Sequence, residues 1–209
     1  MAIILNELLS TILQIGIFTL IPFLFFVFRK DKSQFFFQWI CFIKPPLKSI
    51  VYVFFISLLF VAIGIGLIFI DDGIRQVVTT PPSINGNLRE MGLHINTIII
   101  LLIIALFKTS LAEEILFRGF IAKQLIQKFN FKIGNLLQAL IFGCIHLLLF
   151  WALTKANYFP LIFIFILSTL AGWSIGYVKE KYANGSIIPG WIAHAIGNTI
   201  SYFIIAFVL

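Results

Sequence analysis

Charge is scarce in this chain: only 11% of its 209 residues are charged, while 61% are hydrophobic. Soluble domains sit nearer a quarter charged. A water-soluble fold of this size could not hide so much apolar surface, so the solvent must be lipid. Cysteine is scarcer still. Cys41 and Cys144 are the only two, and they fit neither a CxxC pair nor a zinc-ligand spacing. Cys41 falls in a basic loop and Cys144 in an apolar run, which argues against a disulfide. No basic segment precedes the first apolar run and no small-residue cleavage site follows it, so that run reads as a retained span rather than a signal peptide. Neither end carries a lipidation motif.

The net charge of +7 suggests a nucleic-acid partner only until the basic residues are located. They lie at the ends of apolar runs rather than on a polar face, which excludes nucleic acid and follows the positive-inside rule. A spanning helix needs about 20 apolar residues. Six runs approach that length, at 4–28, 48–70, 97–122, 133–153, 158–178 and 186–208. The expected fold is therefore all-α, a polytopic membrane bundle of about six transmembrane helices. An additional interfacial helix is expected in the first connector, where Phe35, Phe36, Phe37, Trp39 and Phe42 mix with basic residues.

The connectors set the orientation. The first runs from Arg29 to Lys48, the third holds Lys123, Lys128 and Lys132, and the fifth holds Lys179 and Lys181. The second, Asp71 to Asn96, is long and polar with turn signals at Pro81-Pro82 and Asn85-Gly86. The fourth is short and holds Lys155. Connectors one, three and five are basic, which places them in the cytoplasm and both termini on the other side. His94 reads as an exposed connector histidine. Lys108 falls inside the third span and has no evident partner in sequence.

Ionisable groups at mid-membrane cost roughly 2.5–3.5 kcal/mol each on insertion scales, so those that persist are paired or functional. The third span carries Glu113, Glu114 and Arg118. Glu114 and Arg118 are four apart and can pair, while Glu113 points about 100° away from Glu114. An ion pair alone accounts for Glu114 and Arg118 but leaves Glu113 unexplained. The fourth span carries Phe142 and His146, and the last carries His194 and Asn198 on one face. At 1.5 Å per residue, Glu114 lies about 14 Å from Lys123, His194 about 12 Å from Ser186, and His146 about 18 Å from Gly134. Three helices thus bring polar groups to a similar depth on the cytoplasmic side of the bilayer centre.

Two carboxylates, two imidazoles, an amide and a guanidinium contain no covalent nucleophile. Ser110 lacks a nucleophile-elbow context, and Cys144 lies on a different face from His146. The set suits water activation, with a carboxylate as general base, a histidine sharing the proton, and His and Asn as oxyanion donors. The same Glu and His groups could instead ligate a zinc-like metal. The spacing does not choose between the two.

Glu113-Glu114…Arg118, Phe142…His146 and His194…Asn198 read as EExxxR, FxxxH and HxxxN, in order and each on its own span. In these motifs the chain resembles the CPBP intramembrane peptidases, which include type II CAAX prenyl endopeptidases and bacterial Abi proteins. The resemblance covers roughly residues 97–205. It implies a catalytic core over 97–209, preceded by membrane helices and connectors over 1–96, within one integral membrane domain. It further implies a conical cavity open to the cytoplasm. Glu113 and His146 would activate water, His194 and Asn198 would form the oxyanion hole, and Glu114 with Arg118 would orient the site. The family's metallopeptidase label implies a divalent metal such as zinc, for which Glu113, His146 and His194 are the candidate ligands. The implied partners are membrane lipid and a peptide or protein substrate, prenylated or delivered by the membrane. Bacteriocin processing is among the family's roles. The Ile-, Phe- and Lys-rich usage points to a prokaryotic plasma membrane. Two rival readings remain open: a non-catalytic scaffold or bacteriocin-immunity protein on the same fold, and a proton-coupled transporter component. No inverted repeat supports the transporter. Gly172 with Gly176, and Gly64 with Gly66, read as helix-packing sites.

Overall fold

The computed structural model describes residues 2–154 and 158–209, and every element among them is helical. Lys155 lies outside the described residues. Helix α1 covers Ala2–Phe28, α2 is a single turn at Phe36–Trp39, and α3 covers Leu47–Ile70. The second connector folds into α4 (Asp72–Thr79) and α5 (Ile84–Met91). The third span runs continuously over Ile95–Phe129 as α6 (Ile95–Ile103), two π-helical stretches at Ile104–Leu111 and Glu114–Ile121, and α7 (Ala122–Phe129). Then follow α8 (Phe131–Thr154), α9 (Tyr158–Tyr182) and α10 (Ile188–Phe207).

Six of these helical spans are long and apolar enough to cross a membrane, matching the six apolar runs. The third extends seven residues beyond the expected 122. Its last turns, Ala122–Phe129, are amphipathic rather than apolar, so a hydropathy reading stops early although the helix continues to Asn130, whose φ of 101° ends it. The polar second connector was expected as turns. Asp71 and Ser83 instead cap helices by accepting from the backbone N–H groups of Ile74 (2.7 Å) and Gly86 (3.0 Å).

The first connector holds the short helix expected there. Phe35 and Phe37 are exposed, as suits an interface, but Trp39 and Ile40 are buried in a cluster with Ile115, Phe120 and Ile187. Its inner side therefore packs into the bundle.

Helices α8 and α9 are joined by an amide grip. Asn135 Nδ2 donates to the carbonyl of Trp173 and Gln138 Nε2 to that of Gly172, both at 3.0 Å. Gly176 makes this approach feasible, because a Cβ there would stand 2.0 Å from Asn135 Oδ1. The packing role read for Gly172 and Gly176 therefore holds. Gly66 differs, since a Cβ there would meet nothing within 4 Å.

Candidate active site

The third span is where the polar residues collect, and its backbone is not regular. The π turns on either side of Ala112-Glu113 close hydrogen bonds five residues back, a geometry frequent at functional sites. The hydroxyls of Thr109 and Ser110 reinforce it by donating to the carbonyls of Ile104 (2.9 Å) and Ala105 (2.5 Å). No residue pattern in the sequence announces this winding.

Glu114 and Arg118 form the expected pair. Arg118 Nη1 lies 3.1 Å from Glu114 Oε1, and both side chains are fully buried. The guanidinium also sits 4.3 Å from the centre of the Phe142 ring, so a cation–π contact adds to the ion pair. Phe142 stands edge-on to Phe117 and against the His146 ring. The phenylalanine of FxxxH thus links the guanidinium to the histidine.

Glu113 faces the two histidines instead. Its Oε2 lies 3.9 Å from His146 Nε2 and 3.7 Å from His194 Nε2. It is buried and makes no hydrogen bond to the protein. His146 Nδ1 donates to the Phe142 carbonyl at 2.9 Å, which assigns the proton of the neutral ring to Nδ1 and turns the Nε2 lone pair toward Glu113. Two acceptors therefore face each other, too far apart to bond directly and close enough for one water to donate to both. His194 stands between the acids, with its Nδ1 3.7 Å from Glu114 Oε1.

Asn198 is anchored to the third span. Its Nδ2 donates to Thr109 Oγ1 at 2.9 Å and Ser110 Oγ at 3.3 Å. Both hydroxyls spend their own protons on backbone carbonyls, so they act as acceptors here and fix the orientation of the amide. Thr109 is a site residue that the sequence reading missed. Ser110 was weighed only as a nucleophile and serves as an acceptor for Asn198.

Gly190 is a second missed residue. A Cβ there would stand 2.3 Å from Glu114 Oε2 and 2.7 Å from Ile175 Cγ2. Only the missing side chain lets the first turn of α10 close over the buried carboxylate. Lys108 also finds its partner. Its Nζ contacts Glu7 Oε1 at 2.8 Å and Ser10 Oγ at 2.9 Å, both on α1.

Glu113, His146, His194 and Asn198 all line one cavity of about 530 Å³, a size suited to a ligand. Pro82, Asn85, Asn87 and Met91 of the second connector line the same cavity. Among the described residues, no group of three or more His, Cys, Asp or Glu side chains is disposed to hold a metal ion. Glu113 Oε2 stands 3.9 Å from His146 Nε2 and 3.7 Å from His194 Nε2, wider than the roughly 3.3 Å that separates ligands about 2.0–2.1 Å from a tetrahedral zinc ion.

Residues 95–200 match the family described as Type II CAAX prenyl endopeptidase Rce1-like. No curated protein matches the chain, and no solved structure matches it.

Proposed function

The chain belongs to the type II CAAX prenyl endopeptidase Rce1-like family, and on that premise we propose that it hydrolyses peptide bonds within the membrane with a water activated by Glu113 and His146. Membership supports a CAAX-type intramembrane protease acting on a peptide or protein substrate. The observation that carries the mechanism is the unpartnered, buried Glu113 Oε2 facing His146 Nε2 at 3.9 Å. A water donating one proton to each acceptor would turn its lone pairs toward a substrate carbonyl.

Attack forms the oxygen–carbon bond while Glu113 takes the water proton. Collapse of the tetrahedral intermediate breaks the C–N bond, and the same proton passes to the leaving nitrogen. His146, held by the Phe142 carbonyl, fixes the water and shares its proton. His194 is the oxyanion donor, because its ring reaches the cavity beside Glu113. Asn198 holds the helix that carries His194 against Thr109 and Ser110. Glu114 and Arg118 fix the backbone on which Glu113 stands.

The proposed substrate is a prenylated CAAX-type tail or another peptide delivered through the membrane, and the proposed setting is a prokaryotic plasma membrane. Purified protein in detergent, offered a prenylated C-terminal peptide and unmodified leader peptides, tests the reading. Cleavage by the wild type and not by Glu113→Ala is expected. Failure of folded wild type to cleave either class would favour a scaffold or immunity role.

A further inference from the structure

The basic residues of the first connector are not alike. Lys30, Lys32, Lys44 and Lys48 are exposed, while Arg29 is half-buried. Arg29 lines a cleft of about 720 Å³ that shares no lining residue with the cavity at Glu113. The cleft lies between the last turns of α1, the first connector and α7, which supplies Lys123.

The two cations meet at one ring. Arg29 Cζ lies 5.8 Å from the centre of the Trp39 ring and 4.2 Å from that of Phe26, and Lys123 Nζ lies 4.8 Å from the centre of the Trp39 ring. Each is also tethered to the backbone, the guanidinium donating to the Gln34 carbonyl and the ammonium to the Trp39 carbonyl. Neither tether uses up the group, because a guanidinium has five N–H donors and an ammonium three. Among the described residues, neither cation forms a salt bridge. The carboxylate on the cleft wall, Asp31, accepts from the Ser33 N–H at 2.8 Å and from the Ser33 hydroxyl at 3.0 Å. Its single charge offsets only one of the two cations, so the cleft stays positive.

The walls are fixed. Gly119 lets the connector seat against the third span, since a Cβ there would stand 2.8 Å from the Ile40 carbonyl oxygen. The Ile187 N–H donates to the Cys41 carbonyl at 3.0 Å, which pins the connector to the start of α10. On the α1 side the cleft is apolar. Leu24, Phe25 and Phe28 line it and are exposed, on a helix long and apolar enough to cross a membrane. A ligand seated here therefore meets two anchored cations at one end and hydrocarbon at the other.

We propose that this cleft binds the phosphate of an anionic phospholipid, with Arg29 and Lys123 donating to its oxygens and the acyl chains lying along Leu24, Phe25 and Phe28. Basic pockets between membrane helices recognise anionic headgroups in this way. A phosphate between the two cations also relieves their mutual repulsion. A zwitterionic headgroup fits less well, because Asp31 is engaged with Ser33 and Trp39 already faces two cations, which leaves its added positive charge without a partner. The proposal does not depend on the peptidase reading.

Lipid binding is measured by native mass spectrometry of purified protein in a nonionic detergent, titrated with phosphatidylglycerol or phosphatidylcholine. Wild type is expected to bind phosphatidylglycerol more tightly, and equal affinity for the two would overturn the proposal. Arg29→Gln and Lys123→Gln are each expected to weaken phosphatidylglycerol about fivefold, the effect of one Lys or Arg near an anionic lipid surface. Lys44→Gln removes an exposed charge of the same connector outside the cleft and is expected to change little. An equal loss in Lys44→Gln, or none in the two cleft variants, would overturn the site. Lys123→Gln also loses the tether to Trp39, so Gln127→Glu provides a second test. Gln127 is exposed on the cleft wall, and a negative charge there is expected to weaken phosphatidylglycerol severalfold. Unchanged affinity would overturn the site as well. Inorganic phosphate is added in competition and is expected to displace the lipid poorly. Displacement by phosphate as effective as by a second anionic lipid would show that a free phosphate, not a lipid, is the ligand.

Discussion

Gly190 approaches Glu114 so closely that a Cβ on the glycine would lie 2.3 Å from Glu114 Oε2. The contact joins the first turn of α10 to the acid paired with Arg118, and so ties the helix carrying His194 to the helix carrying Glu113. Gly190→Ala must push one helix away or turn the carboxylate. The expected cost is about 1–3 kcal/mol, in the range of overpacked cores, with a loss of activity larger than the loss of stability implies. Thermal unfolding in detergent, run beside a cleavage assay, measures both.

The buried pair of Glu114 and Arg118 separates structure from chemistry. Arg118→Met leaves a carboxylate buried without its counter-charge, which costs about 3–5 kcal/mol. Replacing both residues with Met is expected to restore much of the folding midpoint, because apolar substitutes can match a buried ion pair. Activity is expected to stay low, since Glu113 loses its fixed neighbour. A double mutant that cleaves at the wild-type rate would remove the pair from the site.

Asn198 and Thr109 should act together. Asn198→Ala is expected to slow cleavage by displacing His194, by up to the roughly 10²–10³ seen when an oxyanion-hole donor is lost. If the amide works by anchoring α10 to Thr109, Thr109→Val lowers the rate comparably, and the two losses do not add in the double mutant. Wild-type cleavage by Thr109→Val would mean that Asn198 acts on the substrate directly.

Chelation tests how the water is held. With Glu113 Oε2 3.9 Å from His146 Nε2 and 3.7 Å from His194 Nε2, wider than ligands closed on one zinc ion, cleavage is expected to survive prolonged dialysis against a strong chelator, and the protein to carry no stoichiometric zinc by elemental analysis. Loss of activity on dialysis, with recovery on adding zinc, would show that the three residues close around an ion.

Most of this arrangement was legible in the sequence because charge is conspicuous in an apolar chain. Glu113, Glu114, Arg118, His146, His194 and Asn198 stood out by their cost in lipid, and the six apolar runs placed them on three helices. Their supports were not legible. Gly190 and Thr109 matter through what lies opposite them, and residue type alone does not reveal a neighbour 76 or 89 positions away. Glu7, near the N-terminus, gave no sign of being the partner of Lys108. The π turns of the third span come from hydrogen-bond register and leave the residue pattern helical.

The central claim is that Glu113 and His146 hold the attacking water. The most direct measurement is the cleavage rate of purified Glu113→Gln, a substitution that keeps the shape and removes the base, on a peptide the wild type cleaves. A fall of at least about 10² is expected, the lower end of what a positioned general base contributes, with the folding midpoint little changed. A Glu113→Gln protein that cleaves at the wild-type rate would contradict the claim and move the base elsewhere in the cavity.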